Sequence, residues 1–378
     1  MHRRDFLISS AAVASAALSH AALGKDEQAR LPVGQAVPKV SPAGERGIPS
    51  NNKVVELMQV PVEQRGLDWL SQGLQAAVEI ELSALPPYLC GMWSIVSQRG
   101  PAYDLIRSVA IEEMLHMGLA CNMLTAIGGA PQIVQSYQKR IIYPGPLPGG
   151  VRPELTVYLA GLTQSYLKDV YMEIEYPETG PVVLALGEIY PTIGSFYGAI
   201  LEAFQQLSPD LTTKNQLTSP IGLYVIETLN DVERAITEIK EQGEGTSKSP
   251  LAEDFGGELA HYYKYAEIFQ GSALIQVDGV WQYAGDPIPF PDVYPMAPIP
   301  AGGYEDPPDA VVAGLRAFND QFAAVLTNLE SAWANGSMSD LSASVSAMFR
   351  LRSLARNLMQ IPLPDKSGVY GPDFRLPP

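Results

Sequence analysis

Glu113-Met114-Leu115-His116 and Glu258-Leu259-Ala260-His261 are the two stretches on which the fold of this chain turns. The sequence holds four histidines; His2 and His20 fall in its first 23 residues, so these stretches contain every histidine that follows. In each, a glutamate precedes the histidine by three positions. Residues i and i+3 of an α-helix share a face, so each stretch offers a carboxylate and an imidazole to one point. A single pair of this kind is usually a chance neighbour on a solvated face. Two of them, using all the later histidines, predict a metal centre held between helices.

Two helices that each give Glu-x-x-His, with a single Glu from each of two others, make the ligand set of a dinuclear carboxylate bundle. Hydrophobic periodicity predicts a first long helix from Glu63 to Gln98 and a second from Ala102 to Ile127, broken apart at Arg99-Gly100-Pro101. So short a connection makes the two antiparallel. Glu81 lies 18 residues before Arg99, and Glu113 and His116 lie 14 and 17 after it, so all three share one height. Glu81 falls on the apolar stripe between Ala77 and Leu85, where a carboxylate is costly unless paired or metal-bound. Glu79 and Glu112 are expected to face away from the site. Pro86-Pro87 is expected to kink or open the first helix one turn past Glu81.

Residues 131–190 read as a long crossover with extended pieces such as 156–162. A third helix is expected over Thr192–Leu207, another over Leu223–Gln242, and a helix carrying Glu258 and His261 over Leu251–Gln270. Residues 271–308, with eight prolines from Pro287 onward, read as loop, followed by a helical pair over 309–335 and 339–360. The sixth metal ligand has two candidates: Glu202 in the middle of the third helix, and Glu244, set between Gly243 and Gly245. Carboxylate and imidazole donors suit two iron ions, with manganese as the alternative, and leave positions open for an oxidant.

The chain has 378 residues and a formal charge of −16. A surface this acidic repels phosphates and excludes a nucleic-acid partner. Arg3-Arg4-Asp5-Phe6-Leu7 followed by the apolar run Ile8–Leu23 reads as a twin-arginine export signal, which implies a periplasmic or secreted protein. Beyond the signal no stretch is apolar for long enough to span a membrane. The organisation expected is a signal at 1–23, a linker or extended arm at 24–62, a metal-binding bundle at 63–275, and a Pro-rich loop with a terminal helical pair at 276–378. Oligomeric state is open.

At these residues the chain resembles a known family. The run Ala77-Val78-Glu79-Ile80-Glu81-Leu82-Ser83-Ala84-Leu85-Pro86-Pro87-Tyr88-Leu89 is similar to the first-helix signature of the ferritin-like domain named for iminophenyl-pyruvate dimer synthase, an enzyme of violacein-type bisindole biosynthesis. Glu112–His116 with Gly128-Gly129-Ala130-Pro131, Ile193–Tyr197, Gln242–Gly245 and Glu258–Tyr263 match as well, as does Gly371–Phe374 more weakly. The resemblance covers roughly residues 64–275. It implies an all-α, ferritin-like four-helix bundle with a long crossover and extra C-terminal helices. The family often has Glu where this chain has Ser195, and its recurrent Gln-Gly-Glu-Gly favours Glu244. Two functions follow as expectations: a di-iron oxidoreductase that turns oxygen or peroxide on a small organic substrate, or a metal-binding or storage protein without turnover.

Cys90 lies nine residues after Glu81 and Cys121 eight after Glu113, on antiparallel helices. At about 1.5 Å of rise per residue they stand roughly 25 Å apart. A disulfide needs Cα atoms within about 7 Å. Mass analysis without reductant should therefore show two free thiols; a Cys90–Cys121 bond would overturn the antiparallel pairing.

Overall fold

The computed structural model describes residues 52–177, 182–183, 189–190, 192–245 and 249–377. The stretch read as an export signal at 1–23 and the expected arm up to residue 51 lie outside the described residues. In chain order the elements begin with α1 (Lys53–Met58) and a 3-10 turn (Val62–Gln64). Two long helices follow, α2 (Leu67–Ser94) and α3 (Pro101–Ala126), then α4 (Ile133–Arg140). Next comes a helical run of α5 (Gln164–Tyr166), a π-turn (Leu167–Tyr171) and α6 (Met172–Ile174). β1 (Val182–Val183) and β2 (Ile189–Tyr190) precede α7 (Ile193–Leu207) and α8 (Leu229–Glu244). β3 (Leu251–Ala252) and β4 (Glu258–Leu259) precede α9 (His261–Gln270). The hairpin β5 (Ser272–Val277) and β6 (Val280–Pro287) leads to α10 (Asp309–Asn335) and α11 (Met338–Leu358). Among the described residues the strands pair only two by two and antiparallel, and the architecture is all-α.

Local sequence sets the helix boundaries. Gly100, at φ 112°, turns the chain and Pro101 opens α3, where its missing N–H costs nothing. Capping boxes open α7 (Thr192 with Ser195) and α8 (Thr228 with Asp231). Ser195 thus commits its hydroxyl to the helix start.

Among the described residues, only α2 and α3 run uninterrupted past the middle of the bundle. At one end they pack with α7 and α8, which also pack on each other. At the other end α3 packs on α9, α9 packs on the π-turn, and Tyr171 of that turn bonds to α2. The remaining two bundle positions are therefore each filled by broken helices, α5–α6 then α7, and α8 then α9. The breaks fall at the height of Glu81 and Glu113.

Pro86 and Pro87 sit inside α2 without ending it. Each removes one backbone N–H from the helical ladder. The Ser83 carbonyl freed by Pro87 accepts the Tyr143 hydroxyl at 2.7 Å. One turn on, the Tyr171 hydroxyl donates to the Pro87 carbonyl at 2.7 Å. Inserted tyrosine hydroxyls thus satisfy the carbonyls of Ser83 and Pro87 within a continuous helix.

The C-terminal helices share the main hydrophobic core. Arg356 of α11 donates to the carbonyls of Trp93, Ile95 and Val96 and so caps the end of α2. Phe374 stacks on Trp93, with centroids 6.0 Å apart, and meets Phe318 and Phe322 of α10 edge-on. Cys90 and Cys121 are buried free thiols. No helix among the described residues is long and apolar enough to cross a membrane.

Several expectations change. Part of the arm is helical: α1 buries Val54 and Leu57. The helix expected from Leu223 starts at Leu229, behind its Thr228 cap. The helix expected over Leu251–Gln270 starts only at His261, because Gly256 and Gly257 at φ 104° and 67° turn the chain first. Residues 272–287 form a hairpin rather than loop, turned by Asp278-Gly279, both at positive φ. Glu79 does not face outward: it is buried, accepts from Ser136 at 2.7 Å and lies 3.5 Å from Arg140.

Gly91 is required by the inserted tyrosine, since a Cβ there would stand 2.0 Å from Tyr171 Oη. Gly91→Ala should cost about 1–3 kcal/mol of stability through this overlap, read as a lower thermal midpoint. Adding Tyr171→Phe should recover part of the loss; simple additivity of the two changes would show that the hydroxyl is not what the methyl meets.

Candidate metal centre

α2 carries Glu81 into the core, and α3 carries Glu113 and His116 on one face beside it. Glu175 follows α6, and His261 is the first residue of α9. All five are buried. Glu113 stands between the two imidazoles: its Oε1 is 3.8 Å from His116 Nδ1 and 2.8 Å from His261 Nδ1. On the outer sides, Glu81 Oε2 is 3.9 Å from His116 Nδ1 and Glu175 Oε2 is 3.5 Å from His261 Nδ1. The imidazoles lie nearly parallel, 5.3 Å between centroids. Glu113, His116 and His261 bring one ligand atom each to within 4.8 Å of one another.

The far ring nitrogens are held from behind. His116 Nε2 lies 2.8 Å from Gln242 Oε1, and His261 Nε2 lies 2.8 Å from Glu112 Oε2. Lys264, one turn beyond His261, donates to both oxygens of Glu112 at 2.7 and 2.8 Å. With the proton on Nε2, each Nδ1 presents its lone pair to the carboxylates, the arrangement that orients histidine toward a metal. Tyr88 donates to Glu175 Oε1 at 2.5 Å and Tyr197 donates to Glu81 Oε1. Glu81, Glu113, His116 and Glu175 line one cavity of about 40 Å³, together with Tyr197 and Glu244. That is room for a few waters or a very small molecule.

These buried acids and imidazoles sit on helices of a shared ancestry. The ferritin-like family pattern matches residues 74–270, more than half of the sequence. The chain belongs to the ferritin-like family. Among solved structures, a ferritin-like protein from Caulobacter vibrioides has a TM-score of 0.59 at 21% identity, over 82% of this chain and 99% of that one. No curated protein matches the sequence.

In this ferritin-like site the charges are out of balance. Burial, reinforced by the neighbouring Glu113 charge, pushes the Glu81 carboxyl well above the ordinary range. Burial and then Glu175 push Glu113 up as well. Burial pulls His116 down to about 3, with His261 adding to the effect. Burial would also lower His261, but the carboxylates of Glu175, Glu112 and Glu113 outweigh it and raise the imidazole well above its usual value. For Glu112, burial raises the carboxyl, yet His261 and Lys264 outweigh it and bring it to about 2. His261 Nδ1, despite its 2.8 Å approach to Glu113, has no aligned hydrogen bond. An imidazole nitrogen that closes on a carboxylate oxygen without an aligned hydrogen bond fits a cation placed between them. The donor set is two imidazole nitrogens with several carboxylate oxygens, which suits iron or manganese.

The other proposed ligands are placed differently. Glu202 is half-exposed on α7, 3.7 Å from Arg65, outside the cavity. Glu258 lies in β4, not on a helix with His261; its side chain is 70% exposed and 3.7 Å from Lys264 Nζ. Glu244, the last residue of α8, lines the cavity. Three functional groups escaped the sequence reading. Glu175 follows a helical run too short and irregular to show a period. Glu112 was expected to point away, but α9 comes to meet it. Gln242 was read only as the end of an expected helix and as part of the Gln-Gly-Glu-Gly match.

Gln242→Leu and Glu112→Gln should each weaken metal binding by about 10–100-fold, because each frees a ligand imidazole to turn or change tautomer. Glu202→Gln and Glu258→Gln should leave affinity unchanged. Competition titration against a chelator measures all four; a loss in the last pair equal to the first would place the centre elsewhere.

Proposed function

We propose that this ferritin-like protein holds two iron ions, with manganese as the alternative, and is an oxidoreductase that uses dioxygen or peroxide. The observation that carries the reading is Glu113 set between His116 and His261, with Glu81 and Glu175 on the outer sides. Glu81 and His116 would hold one ion, Glu175 and His261 the other, with Glu113 serving both and Glu244 within the same cavity as the sixth donor. Two such ions supply electrons to an oxidant and open positions to receive it. The chain's own residues hold and orient: Gln242 and Glu112 fix the imidazoles, Tyr88 and Tyr197 fix the outer carboxylates, and Lys264 balances Glu112.

The small cavity has apolar walls from Ile80, Ala84, Leu147, Ile174, Ile193 and Ile239. Such walls exclude bulk water and admit a small oxidant. A small organic substrate is the proposed second reactant, by analogy with the pigment enzyme whose sequence signatures this chain resembles. The twin-arginine pattern supports a periplasmic or secreted location, reached after folding with metal in place.

Elemental analysis and an optical spectrum of aerobically purified protein test the centre. His116→Ala and His261→Ala should each lose metal; full occupancy in both would end the proposal. Binding should also depend on pH. Glu81, Glu113 and His261 keep protons to higher pH than ordinary groups of their kind. A metal must displace those protons, so affinity should rise as pH rises through the raised values and fall on acidification. Calorimetry at neutral pH in buffers of different ionisation heat should show net proton release; zero release would contradict this account.

A further inference from the structure

A line of buried tyrosines leads away from the centre. Tyr88 donates to Glu175 at 2.5 Å, so its ring begins at the site. Tyr171 packs edge-on against Tyr88 with centroids 4.7 Å apart. Tyr166 follows Tyr171 at 5.1 Å, and Tyr158 follows Tyr166 at 4.9 Å. Tyr88, Tyr171 and Tyr166 are fully buried, and Tyr158 is partly exposed. Tyr265 packs on both Tyr88 and Tyr171 and stands beside the line rather than along it. Simple core packing accounts for any one of these contacts. It does not require four oxidisable rings in van der Waals succession from a buried carboxylate to the surface.

We propose that Tyr88, Tyr171, Tyr166 and Tyr158 form a one-electron relay between the centre and a reductant at the surface. The inference rests on the metal reading above. Tunnelling between redox groups falls off exponentially with distance, so rings in contact pass a charge far faster than one long jump. With hydrogen peroxide as oxidant at the centre, Tyr88 gives up an electron inward, and its phenolic proton shifts along the hydrogen bond to Glu175 Oε1. An electron from Tyr158, passed through Tyr166 and Tyr171, refills Tyr88, and the proton returns to it. Tyr158 is left oxidised, its own proton released to water. An external one-electron donor of the phenol or enediol class then restores Tyr158 with one electron and one proton. Two such passages supply the two electrons that convert hydrogen peroxide, with two protons, to two waters.

The hydrogen bonds say where the charge can rest. The Tyr171 hydroxyl points at the Pro87 carbonyl and that of Tyr166 at the Tyr158 carbonyl at 2.5 Å. A carbonyl does not take a phenolic proton, so the two middle rings conduct without holding a neutral radical. The ends can hold one: Tyr88 with a carboxylate, Tyr158 with water.

The test uses the full chain loaded with iron(II), with metal content measured on every sample. Hydrogen peroxide is added with a nitroso spin trap, and peptides are mapped by mass; freeze-quenched samples are read by electron paramagnetic resonance. The parent protein should give a tyrosyl signal and a trap adduct on Tyr158. Tyr166→Phe and Tyr171→Phe should cut that adduct by an order of magnitude or more at unchanged iron content, while the signal from the interior persists. Tyr158→Phe should lengthen the life of the interior signal. An adduct undiminished in both middle variants, or equal in iron-free protein, overturns the relay. Full iron with no tyrosyl signal removes the relay and leaves the site standing; failure of the parent chain to bind iron removes both.

Discussion

The carboxylates of Glu81, Glu113 and Glu175 lie together inside the helical core, and the rest of the site is arranged around their charge. Taking an ion out of water costs several kcal/mol even after relaxation. Among the described residues Lys264 is the buried ammonium, and its short bonds go to Glu112 instead. Without a cation the centre can lower its cost only by holding protons, and Glu81, Glu113 and His261 all shift in that direction. Two divalent ions relieve the same imbalance without protons. The charge arrangement is thus a poor design for a core and a good one for a metal site.

The broken helices explain how so many donors reach one place. A continuous helix offers a given point only residues three or four apart. α3 does this with Glu113 and His116. Where a helix stops, the donor at its end is freed from that spacing. Glu175 just past α6, Gln242 and Glu244 at the close of α8, and His261 at the start of α9 all occupy such ends. The bundle keeps its stability in α2 and α3, with Arg356 holding the end of α2 from the C-terminal helices. The helix ends are gathered in the other two positions, where donors approach from different directions.

This division also decides what could be read from sequence. The helices of α2 and α3 and the height shared by Glu81, Glu113 and His116 follow from periodicity and one short turn, because both helices are continuous. The same spacing at Glu258 and His261 misleads. Gly256 and Gly257 turn the chain at positive φ, and Glu258 ends in a strand facing solvent. That glycine pair was a visible warning. Asp278-Gly279 was another, for the hairpin. Glu175 had no such signal, since a donor at the end of an irregular turn carries no period. Glu79 shows the limit of face-counting from one helix. Its direction was assigned against solvent, but α4 covers that side and supplies Ser136 and Arg140.

Tyrosine recurs beside the prolines of α2 and at the outer carboxylates, and its chemistry explains why. Tyr143 and Tyr171 satisfy carbonyls in the disturbed part of α2, and Tyr88 and Tyr197 satisfy the outer carboxylates. A hydroxyl on a rigid ring donates one hydrogen bond from within an apolar core and adds no charge. Lysine or arginine at Tyr88 or Tyr197 would orient Glu175 or Glu81 as well, but would also neutralise it and compete with a cation for its oxygens. A neutral donor fixes the direction of the carboxylate and leaves its charge for the metal. The tyrosines around the prolines of α2 and those at the site are therefore one solution to two problems. That shared solution places Tyr171, inserted to satisfy the Pro87 carbonyl, directly against Tyr88, held by Glu175.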